Sequence, residues 1–520
     1  MGIILHIDAI WHNHLCDIPR TVHILGIDRH RHFRPVHITS SKNLMINFII
    51  YQYTWYVQDR NLWAGGVRVK KQAKFLANTA ILTGGSLLLR FSNIWFRAYI
   101  LGKIGTQGMG VYQLTFSIFA LAIATCTSGA SLSVTRMVAE GRGSPVCIRR
   151  CLLFSLGVSF AAAGVLWIGS DFLAQRFLDL SSGLPLRLLA PGLPFMAVCA
   201  CLKGYFFAIR NSVVPAIAEL MEQFTTIGTT IVFFWIFTPF SALMLGSTAG
   251  EVASCAVVFL AYRIMTRKQP PKCFNESGSY RQICHIAVPV LSGSFVRSFL
   301  SSTENLLVPR GLKRHGAGTD AALSQYGIIQ GMVMPILLFP SSFLTSLSSL
   351  LIPELAEANA RGKRQTIERS ASRAFRLTLL FSFLITSLLI VYAEDLGNLF
   401  YGNRQAGAFL RIMAPIIPLM YVDSIVDGML KGLDQQAYSF RYNFMDSIMR
   451  VVLIAVLLPV FGVKAYIFIL FLSEIFNASL SISRLLKVAR VDVDIIGWIL
   501  TPAVSAALLY YLLTFLKAVC

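Results

Sequence analysis

The chain is poor in charged residues for its length. Charged side chains make up 14% of its 520 residues and hydrophobic side chains 55%, whereas a soluble domain carries about 25% charged residues. So little charge cannot cover a water-soluble globule of this size. The apolar residues fall in runs of about 18–25, the length with which a helix crosses a bilayer core. Lipid offers the backbone no hydrogen-bond partners, so such runs must be helical. The sequence therefore predicts an all-α polytopic membrane protein.

Residue patterns that support catalysis or metal binding are also missing. Only His285 and His315 of the nine histidines lie beyond the N-terminal segment, and no Ser/His/Asp set is apparent. The ten cysteines form no CxxC pair and no zinc spacing, and buried cysteine usually acts as a small hydrophobe. The stretch LTGGSLLLR at 82–90 lacks the lysine and Ser/Thr of a P-loop. We therefore expect no enzymatic activity, no cofactor and no metal ion.

The first 68 residues differ from the rest of the chain. They hold the other histidines, in stretches such as WHNHLC and DRHRHFRPVH, and their apolar run at 45–57 is too short to span a bilayer. Such a His-rich tract can coordinate zinc or nickel. No signal-peptide pattern is present. We interpret residues 1–68 as a disordered extension or as the product of a start site placed too early.

The remaining chain contains two halves of six predicted spans and one further helix. The predicted spans lie near residues 78–101, 111–135, 149–170, 185–209, 213–237, 240–263, 283–308, 322–348, 373–394, 405–430, 440–461, 463–486 and 494–516. This division gives a lobe at 69–265, a linker at 266–282, a second lobe at 283–490 and an extra helix within 491–520.

Short matching stretches recur in the same order in both halves. GSLLLR at 85–90 and GSFVR at 293–297 open the two lobes, and LKGYF at 202–206 is matched by LKGLD at 430–434. An even number of spans per repeat gives both repeats the same orientation, related by an axis along the membrane normal. We therefore predict two pseudo-symmetric six-helix bundles around a central cavity, which is the architecture of alternating-access transporters.

Positive charge marks alternate loops. The basic loops lie at 142–150, 263–272, 361–364 and 484–490, and the loops between them are nearly neutral. The positive-inside rule places the basic loops and the N-terminus in the cytoplasm, in a multi-pass protein of the plasma membrane. The net charge of +21 is thus explained by topology and not by nucleic acid. One predicted outer loop, with Arg310, Lys313 and Arg314, is an exception that suits an anionic ligand.

Arginines inside the predicted spans indicate a ligand site, because a charge at the bilayer centre costs at least about 2.5 kcal/mol. Arg90 and Arg97 lie seven residues apart on one face of the first span. Arg297 has the matching position in the seventh span, which Arg310 ends. A planar guanidinium suits bidentate contact with phosphate oxygens. We predict that these four arginines bind a phosphate or diphosphate group. The alternatives are that Arg97 extends to the interface and that Arg297 pairs with Glu304.

Acidic residues form a second candidate set. A carboxylate inside a span can bind a coupling proton or sodium ion, and it can also neutralise an arginine. Asp446 and Arg450, four residues apart, suit a structural ion pair. The candidates for ion coupling or charge balance are Glu219, Glu222, Glu304, Asp423 and Asp427, with Glu251 and Glu474 as further acids in the spans.

Three stretches resemble the stage V sporulation protein B family: KGYFFAIRNSVVPAIAELMEQF at 203–224, GMVMPILLFPSSFLTSLSSLLIPELAEANARG at 331–362 and DSIVDGMLKGLDQQAYSFRYNFMDSIMR at 423–450. That family belongs with polysaccharide exporters, lipid II flippases and multidrug extrusion proteins in one superfamily. The resemblance implies alternating access, and a polyprenyl-diphosphate sugar or peptidoglycan precursor as cargo for cell-wall or spore-cortex synthesis. It also implies that arginines on the first helix of each lobe contact the diphosphate, and Arg90, Arg97 and Arg297 match by helix and position.

Three other functions compete with a flippase of lipid-linked sugars. A cation-coupled multidrug exporter would have an acid-rich, arginine-poor first lobe, but the first span carries two arginines and no acid. A membrane glycosyltransferase would need a catalytic carboxylate in a large outer loop, and every predicted outer loop is short. A scaffold that recruits cell-wall enzymes is the third. The expected partners are therefore a lipid-linked sugar, membrane lipid and cell-wall synthesis enzymes, and not nucleic acid.

Overall fold

The computed structural model describes residues 24–27, 33–36, 67–140, 144–178, 180, 182–209, 211–268, 280–489 and 496–519. These residues are almost entirely helical, as predicted. Two short strands, β1 (Ile24–Ile27) and β2 (Phe33–Val36), pair antiparallel with Ile24 opposite Val36. The rest of the predicted extension up to residue 66, and most of the predicted linker, lie outside the described residues.

The helices of the first half pack on one another through a shared apolar core. They are α1 (Val67–Ala139), α2 (Pro145–Ile168), α3 (Ser170–Leu173, followed by a π-helical turn at Ala174–Leu178), α4 (Leu184–Leu189), α5 (Gly192–Ala208), α6 (Val213–Phe233) and α7 (Pro239–Lys268).

The second half forms a comparable bundle. Its helices are α8 (Tyr280–Arg314), α9 (Thr319–Tyr326, followed by a π-helical turn at Gly327–Val333), α10 (Met334–Leu338), α11 (Ser341–Ala360), α12 (Arg364–Val391), α13 (Ala393–Tyr401), α14 (Arg404–Met413, followed by a 3₁₀ turn at Ala414–Ile416), α15 (Ile417–Gly432), α16 (Gln436–Phe461) and α17 (Val463–Ala489). A π-helical turn at Ile496–Leu500 leads into the last helix, α18 (Thr501–Val519), which packs on α12.

Eleven helical stretches of the described residues are long and apolar enough to cross a membrane. The first of them, Leu87–Ala139, covers the first predicted span from residue 87 onward and all of the second. They are joined at Gly105, whose φ of 68° and ψ of −178° interrupt the helical backbone. A left-handed φ strains residues with a Cβ, and glycine adopts it freely. The predicted fifth span is helix α6, which carries two glutamates and is not among the eleven.

The predicted eighth span, 322–348, is not one continuous helix. The chain runs through α9, a π-helical turn and α10, and α11 begins at Ser341 after an interruption at 339–340. Pro335 and Pro340 lack the backbone N–H that a regular helix needs, which accounts for the broken path. This interruption exposes backbone carbonyls at the end of α10, beside the first lobe.

The two lobes meet along the second part of α1. Ser302 of α8 donates a hydrogen bond to the backbone oxygen of Ser117 at 2.6 Å, and Asn305 donates to the Ser117 hydroxyl at 3.1 Å. Towards the Gly105 bend, a Cβ on Gly110 would lie 2.1 Å from the backbone oxygen of Leu323, so only glycine fits there. The lobes are therefore in direct contact along one helix, and the site residues lie beside this contact.

Candidate substrate-binding site

Arg90 reaches from the first lobe to the interruption between α10 and α11. Its Nη1 lies 3.1 Å from the backbone oxygen of Leu338 and 3.4 Å from the Ser341 hydroxyl. Tyr421, from α15, donates to the neighbouring backbone oxygen of Leu337 at 2.8 Å. The Ser341 hydroxyl also donates to the backbone oxygen of Leu338, at 2.7 Å, so the carbonyls at the end of α10 accept hydrogen bonds from both lobes. Arg90 links the lobes at the point where the predicted eighth span is broken.

Arg97 lies two turns further along α1, about 10 Å from Arg90 at 1.5 Å per residue. Its Nε donates to Asn93 Oδ1 at 2.8 Å, and its Nη1 lies 3.4 Å from the backbone oxygen of Gly331 in the π-helical turn. Arg97 also borders a cavity of about 170 Å³ inside the first lobe, together with Asn93, Phe96, Tyr112, Phe116, Glu222, Gln223, Thr226, Leu243, Ser247 and Glu251.

Neither arginine has a carboxylate partner among the described residues. All the acceptors of Arg90 and Arg97 are backbone carbonyls, a hydroxyl and an amide oxygen. Both side chains are partly buried in a membrane-spanning bundle. A buried charge without a countercharge is costly. Because neither forms an ion pair with a described acid, both guanidinium groups are able to bind an anionic ligand.

The other two predicted ligands are placed differently. Arg297 on α8 is exposed and has no hydrogen-bond or ion-pair partner among the described residues. The alternative pairing of Arg297 with Glu304 is not present, because Glu304 lies 3.4 Å from Arg450 Nη1. Arg310 donates to the backbone oxygen of Arg176 and lies over the Phe177 ring, 4.3 Å from its centroid. Arg310 therefore contacts the first lobe at the turn after α3.

Acids of the first lobe lie at the same cavity as Arg97. The Nζ of Lys203 is 3.8 Å from Glu222 and 4.0 Å from Glu219. Glu222 and Glu251 both line this cavity. The cavity thus contains one guanidinium group and two carboxyl groups.

Acids of the second lobe are partly neutralised by basic residues. Arg450 contacts Glu304 at 3.4 Å and Asp446 at 3.1 Å, so the predicted Asp446–Arg450 pair is present and includes a third residue. Asp427 pairs with Lys431 at 2.6 Å. Asp423 accepts from Asn477 Nδ2 at 3.0 Å, and its other oxygen is buried without a partner among the described residues.

Sequence reasoning missed most partners of the site. The contact of Arg97 with Asn93 has a local signal, since residues four apart share a helix face. The acceptors at Leu338 and Gly331 have none, because they are backbone oxygens of another lobe. The pairing of Glu304 with Arg450 joins two helices 146 positions apart, and no spacing in the sequence indicates it.

Sequence comparisons identify relatives of the chain. The profile of the polysaccharide biosynthesis protein family matches residues 75–359, and that of the MatE family matches residues 316–456. Stage V sporulation protein B of Bacillus subtilis is 27% identical over 401 residues, which cover 74% of this chain and 77% of that protein. These matches confirm the family resemblance inferred from the three sequence stretches.

Solved structures share the fold. The lipid II flippase MurJ, in an inward closed conformation, matches with a TM-score of 0.62 at 12% identity, over 84% of this chain and 98% of that one. A multidrug resistance MATE family transporter of the MOP superfamily, in an inward-facing conformation, matches with a TM-score of 0.61 at 12% identity, over 79% of this chain and 96% of that one. These matches confirm the predicted all-α architecture of two helical lobes. Because the first family profile covers more than half of the chain, the protein belongs to the polysaccharide biosynthesis protein family and is a multi-pass membrane transporter.

Proposed function

We propose that the protein is a flippase that moves a polyprenyl-diphosphate-linked sugar or peptidoglycan precursor across the plasma membrane, with its N-terminus in the cytoplasm. The observation that carries the proposal is the placement of Arg90 and Arg97 between the lobes without a carboxylate partner among the described residues. Guanidinium groups bind phosphate oxygens through charge-assisted, often bidentate hydrogen bonds. The family match and the fold shared with a lipid II flippase support a cargo of this class.

The geometry suggests how the diphosphate acts on the protein. Arg90 and Arg97 donate to backbone oxygens of the other lobe, at Leu338 and Gly331. Phosphate oxygens carry more negative charge than a carbonyl and compete for the same donors. Binding of the diphosphate therefore exchanges contacts between lobes for contacts with the cargo, and this exchange favours movement of the lobes. The sugar crosses between the lobes, the polyprenyl tail stays in lipid, and no covalent bond changes.

Arg297 and Arg310 complete the proposed path for the diphosphate. Arg297 is exposed, so its guanidinium is available to a ligand. Arg310 binds the turn at Arg176 and Phe177 in this conformation, and it would meet the diphosphate when the lobes separate at that end. Cell-wall synthesis enzymes are the expected partners, because they make or consume such lipids.

A cation-coupled multidrug exporter is the second candidate. The observation in its favour is the presence of Glu222 and Glu251 at the first-lobe cavity, since carboxyl groups inside a bundle are able to bind and release a coupling proton. Asp423, with its unpartnered oxygen, offers another position for ion coupling, and Glu219, Asp427 and Glu304 balance the charge of neighbouring basic residues. Arg97 at the same cavity disfavours cationic drugs, so we assign the acids to coupling and not to cargo.

A flipping assay in proteoliposomes tests the proposal. Wild-type protein should move a fluorescent polyprenyl-diphosphate sugar between leaflets, and Arg90→Ala and Arg97→Ala should each slow this movement at least tenfold, since a charge-assisted hydrogen bond contributes about 1.5–3 kcal/mol. Arg136→Ala is the matched control. It removes an arginine of the same helix that pairs with Glu140 at 2.8 Å, and it should flip at the wild-type rate.

Two results would count against the proposal. Normal flipping by both arginine variants would keep the flippase but reject Arg90 and Arg97 as ligands. A folded wild-type protein that moves no polyprenyl-diphosphate lipid, yet exports cationic drugs along a proton gradient, would favour the second candidate.

A further inference from the structure

Two polar side-chain atoms are buried and have no hydrogen-bond partner among the described residues. They are the Nε2 of Gln113 on α1 and the hydroxyl oxygen of Tyr401 at the end of α13. Only 8% of the Tyr401 surface is exposed. A buried polar group without a partner costs about 1–3 kcal/mol, and such groups are rare in native proteins. Both atoms are able to donate a hydrogen bond, so each of them lacks an acceptor.

Gln113 and Arg97 flank the same residue of the second lobe. The Nε2 of Gln113 lies 3.5 Å from the position that a Cβ would occupy on Gly331. The Nη1 of Arg97 lies 3.4 Å from the backbone oxygen of Gly331. The bend at Gly105 folds α1 back on itself, so that its two parts supply one donor each. The two donors therefore lie together at the π-helical turn.

Tyr401 brings a third donor from the second lobe. Helix α13 ends at Tyr401, and Gly402, with a φ of 57°, turns the chain immediately after it. Burial raises the pKa of the Tyr401 hydroxyl to about 12, and the nearby charge of Arg97 opposes this shift. The hydroxyl thus keeps its proton at neutral pH, so it is able to donate a hydrogen bond to an anion.

We propose that Arg97, Gln113 and Tyr401 form a binding subsite for the oxygens of a phosphate group, with donors from both lobes. The inference rests on the proposed function and adds two neutral ligands to the arginine. A phosphate would provide acceptors for both unpartnered groups and a countercharge for Arg97. A cation is disfavoured, because all three groups are donors and one of them is positive.

The position of the subsite gives it a separate role from Arg90. It lies about 10 Å from Arg90 along α1, closer to the Gly105 bend than Arg90 is. The diphosphate of the cargo therefore has two binding positions at different depths in the bundle, and it passes from Arg90 to the subsite as it crosses. The same donors suit free pyrophosphate, so the test includes both sources of the phosphate group.

The test uses Tyr401→Phe and Gln113→Leu in the purified full-length protein. Without ligand, Tyr401→Phe should unfold at the wild-type temperature or above, because it removes a buried hydroxyl that has no partner. Polyprenyl-diphosphate sugar should raise the unfolding temperature of the protein. The concentration that gives half of the maximal increase should be about tenfold higher in each variant than in the wild type, as expected for loss of a hydrogen bond to a charged group. Inorganic pyrophosphate, tested in parallel, should show the same loss. Tyr392→Phe is the control, since that ring lies near Lys517 at the other end of α13.

The outcomes separate the subsite from the flippase. Weaker binding of pyrophosphate and lipid in both variants supports a subsite for any phosphate group, and weaker binding of the lipid alone supports one that needs the lipid-linked form. Unchanged affinity for both ligands in both variants overturns the subsite, and the flippase then stands if the wild type still flips lipid. If the wild type flips no lipid but loses pyrophosphate binding through these substitutions, the subsite stands and the proposed function fails.

Discussion

Arg450 forms ion pairs with two buried carboxylates of the second lobe. It lies between Glu304 and Asp446, at 3.4 and 3.1 Å, and Asp446 also accepts from Ser473 at 2.5 Å. The side chains of Glu304 and Asp446 are 9% and 5% exposed. Two carboxylates so well shielded from water depend on one guanidinium for their countercharge. This triad is therefore a structural element of the second lobe, in contrast to the unneutralised arginines of the first.

Replacing Arg450 with methionine should destabilise the protein by about 3–5 kcal/mol, because it leaves two buried carboxylates without their countercharge. The measurement is the free energy of unfolding in detergent. The control is Arg361→Met, which removes a pair on a helix surface with Glu357 at 2.9 Å and should cost about 1 kcal/mol or less. Adding Glu304→Gln to Arg450→Met should recover part of the loss. A loss no larger than that of the control would show that the triad is not needed for stability.

Helices α6 and α7 of the first lobe pack closely, and glycines of α7 permit the contact. A Cβ on Gly250 would lie 2.0 Å from the Thr226 hydroxyl and 2.8 Å from the backbone oxygen of Glu222. Gly246, one turn earlier, meets Thr230 in the same way. In a bilayer, helices associate through such small residues, since lipid gives no hydrophobic drive to bring them together. The same contact holds the helix that carries Glu222 against the helix that carries Glu251, and both residues line the first-lobe cavity.

Gly250→Ala should destabilise the first lobe by about 1–3 kcal/mol, because the added methyl group overpacks the contact with α6. Gly228→Ala is a matched control on α6, where nothing lies within 4 Å of the added Cβ. That control should be neutral or stabilise the protein by about 1 kcal/mol, as alanine favours the helix over glycine. Thermal unfolding of the two variants checks both expectations. Equal melting temperatures would refute the role of close packing at Gly250.

At the scale of the whole molecule, polar contacts hold the two lobes together at the end of their interface near the Gly105 bend. Gln107 donates to Asp320 at 2.7 Å, and Ser324 donates to Thr106 at 2.7 Å. Arg310 adds a contact with the turn at Arg176. At the other end of the shared interface, Ile283 of α8 packs with Ala130, Val134 and Met137 of α1 in a separate apolar cluster. Polar contacts exchange with water more easily than apolar packing does, so we expect the lobes to separate at the polar end during transport.

A disulfide between cysteines introduced at Gln107 and Asp320 should stop flipping under oxidising conditions, and a reducing agent should restore it. The control disulfide joins cysteines at Ser387 and Ala506, which lie together on α12 and α18 and not between the lobes. That bond should leave the rate unchanged. The fluorescent flipping assay measures the rate for both variants. The gel mobility of a chain cleaved between the two cysteines, with and without reducing agent, shows that each disulfide has formed. Full activity with the Gln107–Asp320 bond in place would mean that the lobes stay together at this end.

The sequence by itself determined the class of protein, the positions of nearly all helices and the placement of Arg90 and Arg97 on one face of the first helix. These properties are local: a bilayer core demands long apolar helices, and a spacing of seven residues places two side chains on one helix face. Tertiary structure alone decided which partner each charge finds. Arg450, and not Arg297, neutralises Glu304, the eighth predicted span breaks beside Arg90, and Gln113 and Arg97 both lie at Gly331. Such contacts bring together residues far apart in the sequence and depend on helix rotation and depth, which hydrophobic periodicity does not encode.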